Sequence, residues 1–467
     1  MTTARSAAPT TAPTILGHPK GLFYLAFTEA WERFSYYGMI ALLVLYMVNQ
    51  LLLPGHVENI IGFAAFRSAI ESVAGPMTTI ALASQVFGLY AGFVYFTPML
   101  GGLVADRWLG QRTAVVIGAL CMCAGHLAMA FDQTFLFALL LLVTGSGLLK
   151  GNISAQVGAL YPLEDEARRT RGFAIFSMGI NVGAVFGPIV CGALAAAYGW
   201  HYGFGAAAVF MLAGLATYLY GYRHLPARVK RLRSAAGLAT ADWRIIGALL
   251  AVMLLTVFQS VSYYQLANIL PVWIQEHVAL GIGTWSIPIP WFQSIDPLAS
   301  VVAVPVLFGL WKFQAARRGE PDDLGKIAIG AWLAAASNLF LIVPIIAYGS
   351  APIPAIWPVL YCIGMGVAFL YYWPTLLALV SCAAPAGVNA TMMGVAFLSL
   401  FLSNMIIGWL GRFYEPMGPL AFWVMHAAIA VCGALLVLVL GRPLRRILET
   451  ATRQPLRPSA MTLEVEG

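Results

Sequence analysis

Apolar residues run through this chain in long blocks separated by short polar stretches, and the blocks are too long for strands. Reading each block as a helix places spans at roughly 22–49, 80–104, 112–131, 134–157, 171–197, 201–222, 243–275, 291–313, 326–348, 356–380, 391–413 and 420–441. Crossing ~30 Å of hydrocarbon takes about 20 apolar residues, so each block can cross a bilayer once. The same lengths exclude a membrane barrel, whose strands alternate over ~10 residues. The pattern predicts an all-α membrane protein with twelve transmembrane helices. Nearly all of the 467 residues go into spans and connections, which leaves no room for a separate soluble domain.

Composition agrees: only 10% of residues are charged, against about 25% in soluble proteins, and mean hydropathy is +0.82. A net charge of +7 would suggest nucleic acid in a soluble chain, but here its distribution gives topology instead. With both ends on one side, all Lys and Arg except Arg33, Arg67, Lys150 and Arg412 fall on that side, which makes it the cytoplasm. The expectation is an integral protein of the bacterial inner membrane, monomeric, with both termini cytoplasmic. Its partners would be membrane lipid and a small-molecule substrate, not nucleic acid.

The six cysteines lie in or beside apolar spans, so no disulfide framework is expected, and Cys121 and Cys123 have no paired histidine for a metal. Residues 1–20 are Thr/Ala/Pro-rich without the basic and apolar regions of a cleaved signal, and read as a disordered tail. A six-span bundle then covers 21–222, a basic linker 223–242, a second bundle 243–441 and a tail 442–467. Arg228, Lys230, Arg231 and Arg233 in the linker can also attract anionic lipid. The loop from Leu51 to about Thr79 has room for a surface helix and shows no chemistry of its own.

Six spans on either side of a basic loop suggest the major facilitator architecture, with substrate bound near the midplane between two halves that rock. The segment Gly101-Gly102-Leu103-Val104-Ala105-Asp106-Arg107-Trp108-Leu109-Gly110-Gln111-Arg112 fits the cytoplasmic turn after the second span. Its small residues allow close helix approach, and Arg107 and Arg112 can anchor the turn.

A charge at the centre of a span costs about 2.5–3.5 kcal/mol or more, so each one is a functional candidate. The first span holds Glu29, Glu32 and Arg33, followed by Tyr36 and Tyr37. Their spacing of i, i+3, i+4, i+7 and i+8 puts all five on one helix face. Arg33 can neutralise one carboxylate and leave the other to take up a proton; the alternative is a structural ion pair locking two helices. Lys150, inside the fourth span, is either a contact for a substrate anion or an internal counter-ion. No nucleophile–base pair, metal cluster or nucleotide loop emerges, so an enzyme is not expected. The lone intramembrane histidines His126 and His426 read as packing residues.

The run Glu29-x-x-Glu32-Arg33-Phe34-x-Tyr36-Tyr37-Gly38 closely resembles the first-span motif of the proton-dependent oligopeptide transporter family, within the major facilitator superfamily. Gly101–Gly110 resembles the family's first pattern, and Phe173-Ala174-Ile175-Phe176-Ser177-Met178-Gly179-Ile180-Asn181-Val182-Gly183 its second. Phe292-Gln293-Ser294-Ile295-Asp296-Pro297 matches its eighth-span opening, and Lys150 stands where the family has its fourth-span lysine. The resemblance implies two six-helix bundles in the major facilitator fold, no cofactor, a proton gradient as driving force, and a peptide-like substrate. It assigns proton coupling to Glu29, Glu32 and Arg33. The cavity lining would be Tyr36, Tyr37, Tyr95, Lys150, Asn181 and Trp291. Asp296, where the family commonly has asparagine, is either a second proton site or a helix cap.

The chain also departs from the family. Ile40 replaces an arginine, and the seventh-span Glu-Gln pair finds only Phe258-Gln259 as a counterpart. The tenth-span glutamate that would hold a peptide's amino terminus is Phe369. Ser177 and Ala396 replace a tyrosine and a tryptophan, which should enlarge the cavity. The expectation is a proton-coupled transporter of peptide-like or anionic small molecules whose substrate differs from free di- and tripeptides. The alternatives are a sensor that keeps the fold, or an exporter of a bulkier peptide-derived metabolite.

Overall fold

The computed structural model describes residues 14–162, 165–226, 240–317, 319–385 and 387–453. Most of the predicted linker, and the outer parts of both predicted tails, lie outside the described residues. The helices are α1 Lys20–Tyr46, α2 Phe63–Ala74, α3 Thr79–Val104, α4 Gln111–Ala128, α5 Phe135–Ala159, α6 Glu166–Tyr198 and α7 Trp200–Gly221. They continue with α8 Thr240–Tyr264, α9 Leu270–His277, α10 Ile295–Arg317, α11 Asp323–Tyr348, α12 Ile356–Ala383, α13 Asn389–Leu410 and α14 Tyr414–Arg453. Among the described residues, eleven helical segments are long and apolar enough to cross a membrane; the last, Thr391–Glu449, has 59 residues because α13 and α14 follow one another through the tight turn Gly411–Phe413. Counted separately, they give the twelve crossings that the hydrophobic pattern predicts. The surface helix of the long loop is α2, whose Arg67 pairs with Glu71 at 3.0 Å.

Three expectations need correction. The seventh span does not run unbroken over 243–275: α8 stops at Tyr264 and α9 restarts at Leu270, with Pro271 in its first turn. Proline has no N–H and disfavours helix in the residue before it. The polar side chains of the break are themselves bonded: Asn268 Nδ2 donates to Gln265 Oε1 at 3.1 Å, and Gln265 Nε2 contacts His426 Nε2 at 2.9 Å. Second, residues 14–19 of the expected disordered tail form a small hairpin, Thr14–Ile15 against His18–Pro19. His18 Nδ1 contacts the Tyr161 hydroxyl at 2.8 Å, and Arg168 Nε donates to Gly17 O at 2.7 Å. Burial and the nearby Arg168 and Arg171 hold the His18 pKa below its ordinary value. Third, α14 continues past 441 to Arg453.

Helices α1 and α3–α7 pack into one bundle, and α8 with α10–α14 into another. Close approach within the first depends on glycine at four-residue spacing on one face of α6. A Cβ at Gly179 would lie 2.6 Å from Ala26 O, and one at Gly183 would lie 2.5 Å from Ala30 O. Gly187 meets Phe34 in the same way, so α1 lies in the groove of α6 at a fixed height. In the turn after α3, Gly110 takes the left-handed φ of 71° that starts α4, and Arg112 Nε donates to Pro226 O at 3.0 Å. That arginine therefore ties α4 to the chain after α7 rather than bracing its own turn.

The bundles are joined at the end away from the termini. Ser84 Oγ donates to Ile407 O and Gly408 O at 3.3 Å each, and Asn268 Nδ2 donates to Ser84 Oγ at 2.8 Å and Ile407 O at 3.3 Å. Between α3 and α13, a Cβ at Gly88 would come within 2.5 Å of Asn404 O and 2.6 Å of Gly408 Cα. On α6, the residues 177, 181, 185 and 189 form one line. Val185 O and Ile189 O accept bonds from Ser294 Oγ at 2.7 Å and Trp291 Nε1 at 2.9 Å, across the interface. Nearer the terminal end, the same line is half-buried at Asn181 and exposed at Ser177. The seam is covered at the far end and opens toward the termini.

Candidate functional site

Glu32 lies twelve residues into α1 and Lys150 fifteen into α5, at roughly 18 and 22 Å of rise from opposite ends. Both levels fall near the middle of their spans. Glu29, Glu32 and Arg33 are all buried, and Arg33 Nε serves both carboxylates, at 3.1 Å from Glu29 Oε1 and in direct contact with Glu32 Oε2. The ion pairs are close but poorly aligned as hydrogen bonds, and both Glu32 oxygens and Glu29 Oε2 have no hydrogen-bond partner. One guanidinium thus faces two acids, a net charge of −1 when both are ionised. The height of this cluster is set by the α6 glycines, since a Cβ at Gly183 would also press on Arg33 Cβ at 2.6 Å.

Lys150 reaches over the rings of Tyr36 and Tyr95, with Nζ 4.5 and 5.5 Å from their centroids. This is cation–π distance. Among the described residues, no carboxylate lies within ion-pair distance of it. Tyr37 packs edge-on against Tyr36, with centroids 5.2 Å apart. From Tyr95 the polar path crosses to the other bundle, where Tyr264 donates its hydroxyl to that of Tyr95 at 3.0 Å. Tyr263, beside it, donates to Asp296 Oδ2 at 2.7 Å. Asp296 is buried in the first turn of α10 and its Oδ1 has no partner, so neither oxygen is used as a helix cap. Phe369, in the place of the family's glutamate, stacks on Tyr263 at 5.0 Å and meets Tyr372 edge-on.

Several expected residues sit elsewhere. Trp291 belongs to the far-end seal, donating to Ile189 O, rather than to the midplane. Ala396 is fully buried in an apolar cluster of the second bundle that also contains Tyr372 and Met392, so it opens no wall in this conformation. Asn181 Nδ2 donates to Ser177 O of its own helix at 3.2 Å. Gln259 faces inward, donating to Ala368 O at 3.1 Å, so Phe258-Gln259 is not what α8 presents across the gap. Tyr264 is, with Tyr263 beside it holding Asp296, and sequence reading missed both. Their signal was an aromatic pair next to Gln265 and Asn268, polar residues inside an apolar run that leads to Pro271. Ile40 packs in the core. His426 is bonded to Phe422 O and Gln265, whereas His126 has no partner for either ring nitrogen. Among the described residues, no group of three or more His, Cys, Asp or Glu side chains is placed to hold a metal.

The arrangement is a line of titratable groups across two bundles, with a lysine facing the gap between them. Comparison with known proteins gives it context. A family model described as POT family matches residues 112–233 and 228–417. The chain is 28% identical to an uncharacterized transporter, YclF, of Bacillus subtilis (strain 168), over 93% of this chain and 96% of that one. It is 28% identical to the peptide transporter YePEPT of Yersinia enterocolitica subsp. palearctica, over 94% and 97%. The crystal structure of a mutant of the peptide transporter POT in complex with alafosfalin superposes with a TM-score of 0.82 at 28% identity, covering 94% of this chain and 97% of that one. The fold and the family are those of transporters, and this chain is an integral membrane protein belonging to the POT family.

Proposed function

We propose that the protein is a proton-coupled secondary transporter of the bacterial inner membrane, with its termini in the cytoplasm, that moves peptide-like or anionic small molecules by alternating access. The observation that carries this reading is the buried triad of Glu29, Glu32 and Arg33 beside the gap between the bundles. Two acids share one cation, so one protonation removes the surplus negative charge. An uncompensated buried charge costs several kcal/mol, so the protonated triad is cheaper to enclose when the bundles close over it. Proton uptake and the change of access are thereby linked through one charge.

Lys150 is the group for a substrate anion. Its ammonium lies against Tyr36 and Tyr95 and lacks the acid that the family motif would supply, because Phe369 occupies that place. Among the described residues, the acid that the second bundle brings to this line is Asp296, and it is engaged by Tyr263. Substrates with a strong anionic group and a weak demand for an ammonium partner are favoured over free dipeptides.

The test is uptake in proteoliposomes, acidic outside, of a panel of small organic acids, acidified peptides and simple dipeptides. Gradient-driven accumulation of acidic members is expected, with dialanine a poor substrate. Saturable dialanine uptake at micromolar concentration, competed by other dipeptides, would defeat the substrate assignment. Binding of panel members without gradient-driven flux would defeat the transport assignment and favour a sensor.

A further inference from the structure

Away from the central gap, α11 and α14 enclose a groove of about 470 Å³ near the end that carries the termini. Its apolar wall includes Leu324, Ala328 and Val437, and its mouth holds Gly441, Arg442 and Arg445. A Cβ added at Gly441 would meet nothing within 4 Å, so the space beside it is open and a larger side chain there can enter it. The neighbouring Leu438, Val439 and Leu440 of α14 are exposed apolar residues, as expected of a face turned toward hydrocarbon. The apolar run of α14 ends at Gly441 and its basic run begins at Arg442, which puts the two arginines at the edge of the hydrocarbon layer.

The guanidiniums differ in their partners. Arg445 is held by Asp322, with Nε and Nη2 each 2.8 Å from one carboxylate oxygen. Among the described residues, Arg442 has no carboxylate within ion-pair distance, and it is exposed. The mouth therefore carries one uncompensated positive charge, Arg442, beside the Arg445–Asp322 pair and next to an apolar slot. A soluble anion would not use the slot, and a neutral chain would not use the arginines.

We propose that this groove is a binding site for a phospholipid with a net-negative headgroup, its phosphate on Arg442 and one acyl chain lying along α11 and α14. Basic pockets between spans on one membrane face take acidic headgroups, and a Lys or Arg near an anionic leaflet changes affinity by about fivefold. The size lies within the roughly 300–1,000 Å³ of small-ligand sites. The proposal depends on the membrane embedding and not on the transport reading.

The test is native mass spectrometry of the purified full chain in detergent, titrated with phosphatidylglycerol, with phosphatidylcholine of the same acyl chains, and with glycerol phosphate. Wild type is expected to retain phosphatidylglycerol about fivefold more tightly than phosphatidylcholine and to retain no glycerol phosphate. Arg442→Gln should bring the two lipids level, and Gly441→Phe, which fills the slot, should weaken both. Equal retention of the two lipids by wild type overturns the proposal without recourse to any variant. An unchanged preference in Arg442→Gln, or full phosphatidylglycerol retention in Gly441→Phe, also overturns it. Glycerol phosphate bound as tightly as the lipid would make this a soluble-anion site instead.

Discussion

In the proposed transporter coupling would turn on Glu32, which is fully buried, shares Arg33 with Glu29 and has no hydrogen bond to hold its charge. Glu32→Gln keeps the shape and removes the proton site. Gradient-driven accumulation in proteoliposomes should fall to the level seen without a gradient, while counterflow exchange of substrate persists in part. A variant that still concentrates substrate removes Glu32 from the coupling role. Arg33→Ala is a different experiment: it leaves two buried acids unpaired at a cost of about 3–5 kcal/mol, so the unfolding temperature itself should drop. For Lys150→Ala, a panel of matched anionic and neutral ligands separates contact from scaffold. Loss of the anionic ligands alone is expected, and equal loss of both kinds would mean that the lysine supports structure. These residues were legible in the sequence because an ion in an apolar run admits few explanations. Trp291 and Ala396 were not, since residue type does not tell whether a side chain faces the gap, the seal or its own bundle.

Among the elements, hydrophobic pattern specified the helices well because each must cross the bilayer on its own backbone bonds. It could not specify where one helix gives way to polar side chains, which is why the break between α8 and α9 was not foreseen. Pro271 and the buried Gln265 and Asn268 mark that break only once their partners on α13, α14 and α3 are known. The crossing of α3 and α13 yields a prediction of its own. At Gly88 any side chain would meet backbone, Asn404 O and Gly408 Cα, and backbone cannot swing aside as a long side chain can. Gly88→Leu should therefore hold the far ends of the bundles apart. Spin labels placed on the far ends of α3 and α13 should show a longer mean distance than in wild type, with exchange flux lost. An unchanged distance together with normal flux would show that the helices accommodate the side chain and that the glycine is not needed for the seal.

At the scale of the whole molecule, the two bundles are held in this arrangement by a short list of polar contacts at one end, and the balance between arrangements should respond to each of them. Asn268 makes one bond across the seam, to Ser84 Oγ of α3, and one within its own bundle, to Ile407 O of α13. A hydrogen bond contributes a net ~0.5–1.5 kcal/mol, so losing the Ser84 bond with Asn268→Ala takes about that much from the far-end-sealed state. If the arrangement open at the far end does not use this bond, the population ratio moves toward it by about 2- to 13-fold. A ligand entering from the far side then binds more tightly by the same factor, up to the point where the open form is fully populated. The mutation also removes the bonds to Gln265 within the α8–α9 break and to Ile407 O of α13, both inside the second bundle, which lowers the stability of both arrangements alike and cannot by itself move the ratio. The two effects separate in measurement. A bimodal far-end distance distribution that gains its long component in Asn268→Ala reports the shift between arrangements, whereas a lower unfolding temperature with the wild-type distribution would mean that Asn268 braces the broken seventh span and does not latch the bundles.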